Sequence, residues 1–293
     1  MAIVTVIRTH RTFGGGILVA SGIALLVLAT GCGHERELPL FDAHIHYNHD
    51  TWEKVPPAEA VALLRKAGAV RALVSSSSDD GTQMLVAEAP DLIVPELRPY
   101  RTIEDAKTWT TDESIIPHVE ARLARYRYVA IGEFHIKGEQ ADLPVVRRMV
   151  QLAKERGLML HVHGDADSIE RIFAQDPAAR LLWAHGGFEP IERVRSLLDR
   201  HPHLWAEVSS RSDLTVEGHL TPAWRDLFLE YPDRFMVGTD TGAPSRWVGI
   251  EKLVTPTRGW LAELPADVAE RIAYKNGESL LTAPFAASRA RTP

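Results

Sequence analysis

Six histidines and two carboxylates of this 293-residue chain fall where they could act together. His44 and His46 alternate in "FDAHIH". On an extended strand they point the same way, roughly 6.6 Å apart along it. His161 and His163 repeat that spacing in "LMLHVH". Glu133 and His135 share "AIGEFH", His185 ends "LLWAH", and Asp240 stands in "GTDTG". Imidazole nitrogen and carboxylate oxygen suit zinc, and also manganese, iron or nickel. Such a set can hold one divalent ion, or two if a carboxylate bridges. Structural zinc sites favour cysteine and are closed, so an all-histidine and carboxylate set at an open mouth favours catalysis. The other histidines, at 10, 34, 49, 118, 201, 203 and 219, sit in leader, tether, loop, helix or strand-entry positions and carry no such signal.

These residues can meet only if the elements carrying them converge. Short apolar runs at 39–45, 70–76, 92–97, 127–134, 158–163, 180–185, 204–209 and 234–239 read as strands. Helical patterns near 57–67, 82–88, 113–126, 142–156, 167–175, 189–200, 221–230 and 264–275 alternate with them. In 142–156, Val145, Val146, Met149, Val150 and Leu152 recur at helical spacing, and Gly157 is a stop signal. Strict alternation argues for parallel βαβ units and an α/β fold, and the length after the leader suits a (β/α)8 TIM barrel. An open doubly wound sheet would show a glycine-rich loop after the first strand. The loop here is "YNHDTWEKVPP", without glycine. In a barrel the active site lies at the C-terminal strand ends. The first, fourth, fifth, sixth and eighth strands all end in histidine or carboxylate.

Hydrophobic residues make up 45% of the chain and charged ones 25%, an ordinary globular balance with material for one large core. Net charge is −6 with no basic stripe, which gives no reason to expect a nucleic-acid partner. Residues 1–31 carry Arg8 and Arg11 ahead of "GGGILVASGIALLVLATG" and read as a signal peptide. Cys32 follows directly, is the single cysteine, and excludes an intramolecular disulfide. The run Leu28-Ala29-Thr30-Gly31-Cys32 resembles a bacterial lipobox. It implies a lipid-modified Cys32, a tether over 32–38, and a protein held at a membrane of the cell envelope, on its periplasmic or extracellular face. An uncleaved anchor and simple secretion are the alternatives. The barrel is expected over 39–283, with a polar tail from 284 to 293.

Taken in order, "DAHIH", "IGEFH", "HVHGD", "WAHGG" and "GTDT" resemble the amidohydrolase superfamily, specifically the amidohydrolase-related proteins. "AIGEF" is similar to the TatD-type branch. "ERIAYKNGESLL" resembles the closing helix of many members. The resemblance implies metal ligands at His44, His46, Glu133, His163, His185 and Asp240, with Glu133 able to bridge two ions. For the fifth strand it favours His163. His161 is left as a second ligand or a core histidine. His135, His161, Arg98 and Arg211 are assigned to the substrate side, with ordinary loop charges as the alternative for the two arginines. The serine run 75–78 reads as a strand end and turn.

A divalent ion, zinc first, lowers the pKa of bound water toward ~7 and polarises the electrophile. Asp240 would take the proton and pass it to the leaving group. The expected reaction is hydrolysis of an amide, lactone, ester or phosphoester in a small-molecule substrate. Non-oxidative decarboxylation is the second enzymatic reading, and a non-catalytic tethered binding protein the third. Specificity would lie in loops 47–56, 98–112, 135–141 and 241–262, where Trp52, Trp109 and Trp247 stand.

Overall fold

Every apolar run expected as a strand is one, and all eight pair in parallel in chain order. In the computed structural model, which describes residues 37–282, they are β1 Leu40–His46, β2 Ala69–Ser75, β3 Ile93–Leu97, β4 Ala130–His135, β5 Met159–His163, β6 Leu181–Trp183, β7 Leu204–Glu207 and β8 Phe235–Met236. The ring closes where the chain beyond β8 runs beside β1. Ala43 N donates to Val237 O (2.9 Å), Asp240 N to His44 O (2.8 Å) and His46 N to Thr241 O (2.7 Å). This is the expected (β/α)8 barrel. The signal stretch, Cys32 and the tail from 284 lie outside the described residues.

The helices fall close to their expected places, from Pro57–Lys66 to Ala266–Glu270. Pro144–Arg156 starts on its proline and ends at Gly157, whose φ of +65° is the left-handed turn that stops a helix. Segment 241–262, expected as a loop, instead contains helices Pro244–Val248 and Ile250–Leu261. Their apolar residues Trp247, Ile250, Val254 and Trp260 are buried against the barrel. A hairpin, Thr215–Val216 with His219–Leu220, interrupts the path between β7 and β8.

Inside the barrel the side chains form tiers. Phe41, Leu73, Val94, Met159, Leu182 and Met236 make an apolar floor. Above it, where (β/α)8 barrels usually carry branched aliphatics, the odd strands contribute His44, Glu96, His161 and Glu207, each at most 1% exposed. Two strands change phase to build the rim. The pairing of β1 with β2 breaks between Asp42 and Ile45, and that of β4 with β5 between Ile131 and Phe134. Phe41 and Ala43 thus join the floor while His44 and His46 still turn inward, and Glu133 follows Ala130 to the inside. Gly132 permits the second break: its φ is +151°, and a Cβ there would lie 2.2 Å from His161 O.

Candidate metal centre and its cavity

His44 and His46 face each other through their Nε2 atoms, 3.0 Å apart. The outer nitrogen of each ring fixes its tautomer. His44 Nδ1 lies 3.0 Å from Glu207 Oε1, an ionised acceptor, so Nδ1 carries the proton. His46 Nδ1 lies 3.1 Å from Ser75 O, which can only accept. In their neutral forms both Nε2 atoms are therefore bare lone pairs pointing into one gap, an arrangement that only a shared proton or a cation can relieve. Around that gap stand Glu133 Oε2, 3.2 Å from His46 Nε2, and Asp240 Oδ1, 3.6 Å from both Nε2 atoms.

Glu133 spans two groups. Its Oε1 lies 2.9 Å from His163 Nδ1, 3.6 Å from His135 Nε2 and 3.9 Å from His185 Nε2. Ligand atoms cluster as His44, His46 and Asp240, as His44, Glu133 and His185, as Glu133, His135 and His163, and, deeper in the barrel, as His44, His161 and Glu207. The donor chemistry fits a divalent ion at the first cluster, with Glu133 reaching toward a second position.

The electrostatics agree. Burial opposes a charge on His44, but Glu133 and Glu207 overcome it and hold its pKa well above the usual value. Burial, aided by the Arg98 charge, pushes His46 down to about 4, which keeps it a neutral donor. Burial also lowers His185. Glu133 is opposed by burial as well, yet His44 and the neighbouring imidazoles hold it well below the carboxylate range.

Glu207, absent from the sequence expectation, organises both sides. Besides His44, its Oε1 accepts from His185 N (2.7 Å) and lies 3.2 Å from His185 Nδ1, while Oε2 accepts from Ser209 N (2.7 Å). His185 Nδ1 also faces Ser209 O at 3.0 Å, so its proton is fixed there and its Nε2 is free. Four successive left-handed residues, His185 to Phe188 with φ from 52° to 63°, deliver this histidine. Two are glycines, which tolerate the conformation, and His185 and Phe188 pay a steric cost for it. A carboxylate within the strand run "LWAEVS" was the sequence signal available for Glu207; Glu96 within "LIVPEL" is its counterpart.

The residues assigned to the substrate side separate. His135 lines the cavity and stands beside Glu133 and His163 among the possible ligands. His161 is instead buried beneath the cavity, its Nδ1 3.1 Å from Glu96 and its ring 4.9 Å from that of His44. It belongs to the tier below the rim, not to the lining. Arg98 lines the cavity but is committed: Nε donates to Glu133 O and Nη2 to Glu133 Oε2, both at 2.9 Å. Arg211 lies elsewhere, stacked on Trp224. It donates to His185 O (2.9 Å) and Glu189 O (2.8 Å) and pairs with Asp213, so it braces the left-handed turn. Trp109 and Trp247 are buried, donating to His135 O and His46 O at 3.0 Å, whereas Trp52 borders the cavity.

The cavity has a volume of about 760 Å³ and opens at the C-terminal rim. Asp240, one-third exposed, sits at its base, its backbone fixed by the bond to His44 O. Its Oδ2 accepts from Ser210 Oγ (3.3 Å).

Comparison with known proteins places the chain in a family and a fold. Residues 110–282 match the family model described as Amidohydrolase. An uncharacterised TIM-barrel protein from Bordetella bronchiseptica is similar in structure at TM-score 0.61 and 12% identity, covering 83% of this chain and 98% of that one. A TatD homologue from Escherichia coli K12 gives 0.57 at 14% identity, covering 84% and 98%. A protein from Acinetobacter baumannii described as a probable 2-pyrone-4,6-dicarboxylic acid hydrolase gives 0.55 at 11%, covering 83% and 98%. At these identities the likeness is one of fold. No curated protein matches the chain in sequence.

Proposed function

The chain belongs to the amidohydrolase family and is an enzyme of that superfamily, and from this premise we propose that it is a metal-dependent hydrolase acting on an amide, lactone or ester. The observation that carries the reading is the pair of Nε2 atoms, 3.0 Å apart with both outer nitrogens already donating, inside a ring of Glu133 and Asp240. His44, His46 and Asp240 would hold one divalent ion, zinc first, and Glu133 with His163 and His185 a second. An ion held there would supply Lewis acidity toward a carbonyl oxygen and would acidify water. Asp240 then takes the proton of the attacking water and returns it to the leaving nitrogen or oxygen, a role its partial exposure and fixed backbone allow. Glu133, locked by Arg98, holds position rather than moving protons. Arg98 also offsets the charge of a buried carboxylate. Hydrolysis is preferred to decarboxylation because Glu133 stands between two histidine groups, where it could bridge two ions.

Metal content per chain tests this, measured on the full chain purified in detergent without chelators or a histidine tag. One to two equivalents support the hydrolase, and two point to a Glu133 bridge. None, even after reconstitution with zinc or manganese, refutes the metal-dependent reading.

We further propose that the enzyme is tethered to the cell envelope through lipid on Cys32. Cys32→Ser should move it from the membrane to the soluble fraction. Retention in the membrane would replace the lipid with an uncleaved apolar leader.

A further inference from the structure

The cavity's charged groups are unequally available. Arg98 and Arg101 both line it. Arg98 is spent on Glu133 through Nε and Nη2, with its face over Tyr100. Arg101 is spent on neighbours outside the cavity: Nε on Asp105, Nη2 on Asp105 and Asp112, and Nη1 on Ser114 Oγ. The lining carboxylates Asp50 and Glu104 are exposed, and among the described residues neither has an ion-pair partner. An anionic group entering here meets two exposed carboxylates, one of them accepting from Thr102, and two guanidinium groups already neutralised.

Two neutral groups on the wall, by contrast, are left with capacity. Asn48 Oδ1 accepts from Ser77 N at 2.8 Å, which orients the amide and leaves its Nδ2 donors without a protein partner among the described residues. Ser77 is 2% exposed, lines the cavity, and its Oγ has no hydrogen-bond partner. A buried hydroxyl without a partner is costly unless a ligand supplies one. Trp52 and Ile103 add apolar surface to the same cavity.

We infer that the substrate is uncharged at its end away from the metal ligands, and that Asn48 and Ser77 recognise a carbonyl or hydroxyl group there. The inference rests on the reading of this cavity as the active site. Asn48 donates to the substrate oxygen, and Ser77 Oγ donates to or accepts from the same group. Asp50 and Glu104 select against carboxylates and phosphates by repulsion, so discrimination comes from rejection as well as attraction.

Hydroxamates test this, because the hydroxamate anchors at a metal and the distal substituent reports on the wall. The zinc-loaded full chain is titrated calorimetrically with benzohydroxamic acid and with its 4-hydroxymethyl and 4-carboxy derivatives. The hydroxymethyl compound should bind about three- to tenfold tighter than the parent, as one neutral hydrogen bond provides. The carboxy compound should bind at least about tenfold more weakly than the hydroxymethyl one. Ser77→Ala and Asn48→Ala should each erase the hydroxymethyl gain while zinc content is retained. Asp50→Asn with Glu104→Gln should recover binding of the carboxy compound. Equal or tighter binding of the carboxy compound overturns the inference, as does a gain that survives both wall variants. So does absence of parent binding to zinc-loaded protein. A chain that takes up no zinc at all refutes the metal reading instead, which separates the two failures.

Discussion

Replacing Glu207 by glutamine tests whether one buried carboxylate prepares ligands for both metal positions. The carboxylate accepts two N–H groups at Oε1, from His44 Nδ1 and His185 N, with His185 Nδ1 a further 3.2 Å neighbour, and one at Oε2 from Ser209 N. Glutamine has the same shape but one acceptor oxygen. With that oxygen in the Oε1 position, its amide confronts Ser209 N at about hydrogen-bond distance, donor against donor. Reversed, the amide confronts both histidines, and His44 must shift its proton to Nε2, where it blocks the lone pair needed for metal. Either way the charge assistance is lost, and a lost outer-shell partner costs roughly 10–100-fold in metal affinity. That is about 1.4–2.7 kcal/mol per ion. The expected result for Glu207→Gln is weaker zinc binding at both positions, read by titrating metal-stripped protein against buffered free zinc. Ser209→Ala is the control: it removes a hydroxyl from His185 Nδ1 but leaves Ser209 O, so affinity should change by less than about threefold. Two affinities within threefold of the parent in folded Glu207→Gln protein would refute the reasoning.

Further expectations concern the proton shuttle, the β1 seam and the left-handed turn. Asp240→Asn should retain metal by elemental analysis yet lose about 10²–10⁴ in kcat, the usual contribution of a positioned acid–base group; near-parent turnover would remove Asp240 from that role. Asp42, buried, is pushed up to about 6 despite bonds from Thr239 and His44 N. A buried acid with a raised pKa binds its proton more tightly folded than unfolded. Its contribution therefore falls as pH rises from about 4 to 6, by about 3 kcal/mol. Asp42→Asn should flatten that part of the profile in denaturant titrations, and an unchanged slope would sink the assignment. Arg211→Met keeps a side chain over Trp224 but strips the donors from His185 O and Glu189 O. A loss of about 1–3 kcal/mol, seen as a lower Tm, is expected, and an unshifted Tm would show that the turn stands without it.

Much of this arrangement was legible in the sequence because chemistry at parallel strand ends leaves a local trace. The alternation of His44 with His46, and the placement of Glu133, His185 and Asp240 just past apolar runs, needed no long-range information. The supporting residues left weaker traces. Glu207 and Glu96 act across the barrel on histidines from other strands, and neither spacing nor periodicity joins "LWAEVS" to "FDAHIH". Arg98 and Arg211 follow strand ends as a substrate clamp would, but where their guanidinium groups point depends on tertiary partners. The phase changes in β1 and β4 are hidden for the same reason: both strands look regular in sequence, and only the barrel's curvature requires the break. Loop 241–262 was under-read because two prolines obscured apolar spacing at Trp247, Ile250, Val254 and Trp260.

The seam between the first and last strands also bears on how the protein is made. Its hydrogen bonds run through the backbones of His44, His46 and Asp240, and Thr239 reaches Asp42 across 197 residues of chain. Contacts this distant in sequence form late in folding, because the loop they close must first be organised. The first metal position therefore comes into being with barrel closure and not before. A nascent or partly folded chain can offer His44 and His46 but not Asp240 beside them, and so binds metal weakly and without selectivity. Metal uptake should thus follow folding kinetically, so that an excess of zinc in refolding buffer speeds neither closure of the ring nor collapse of the helices around it.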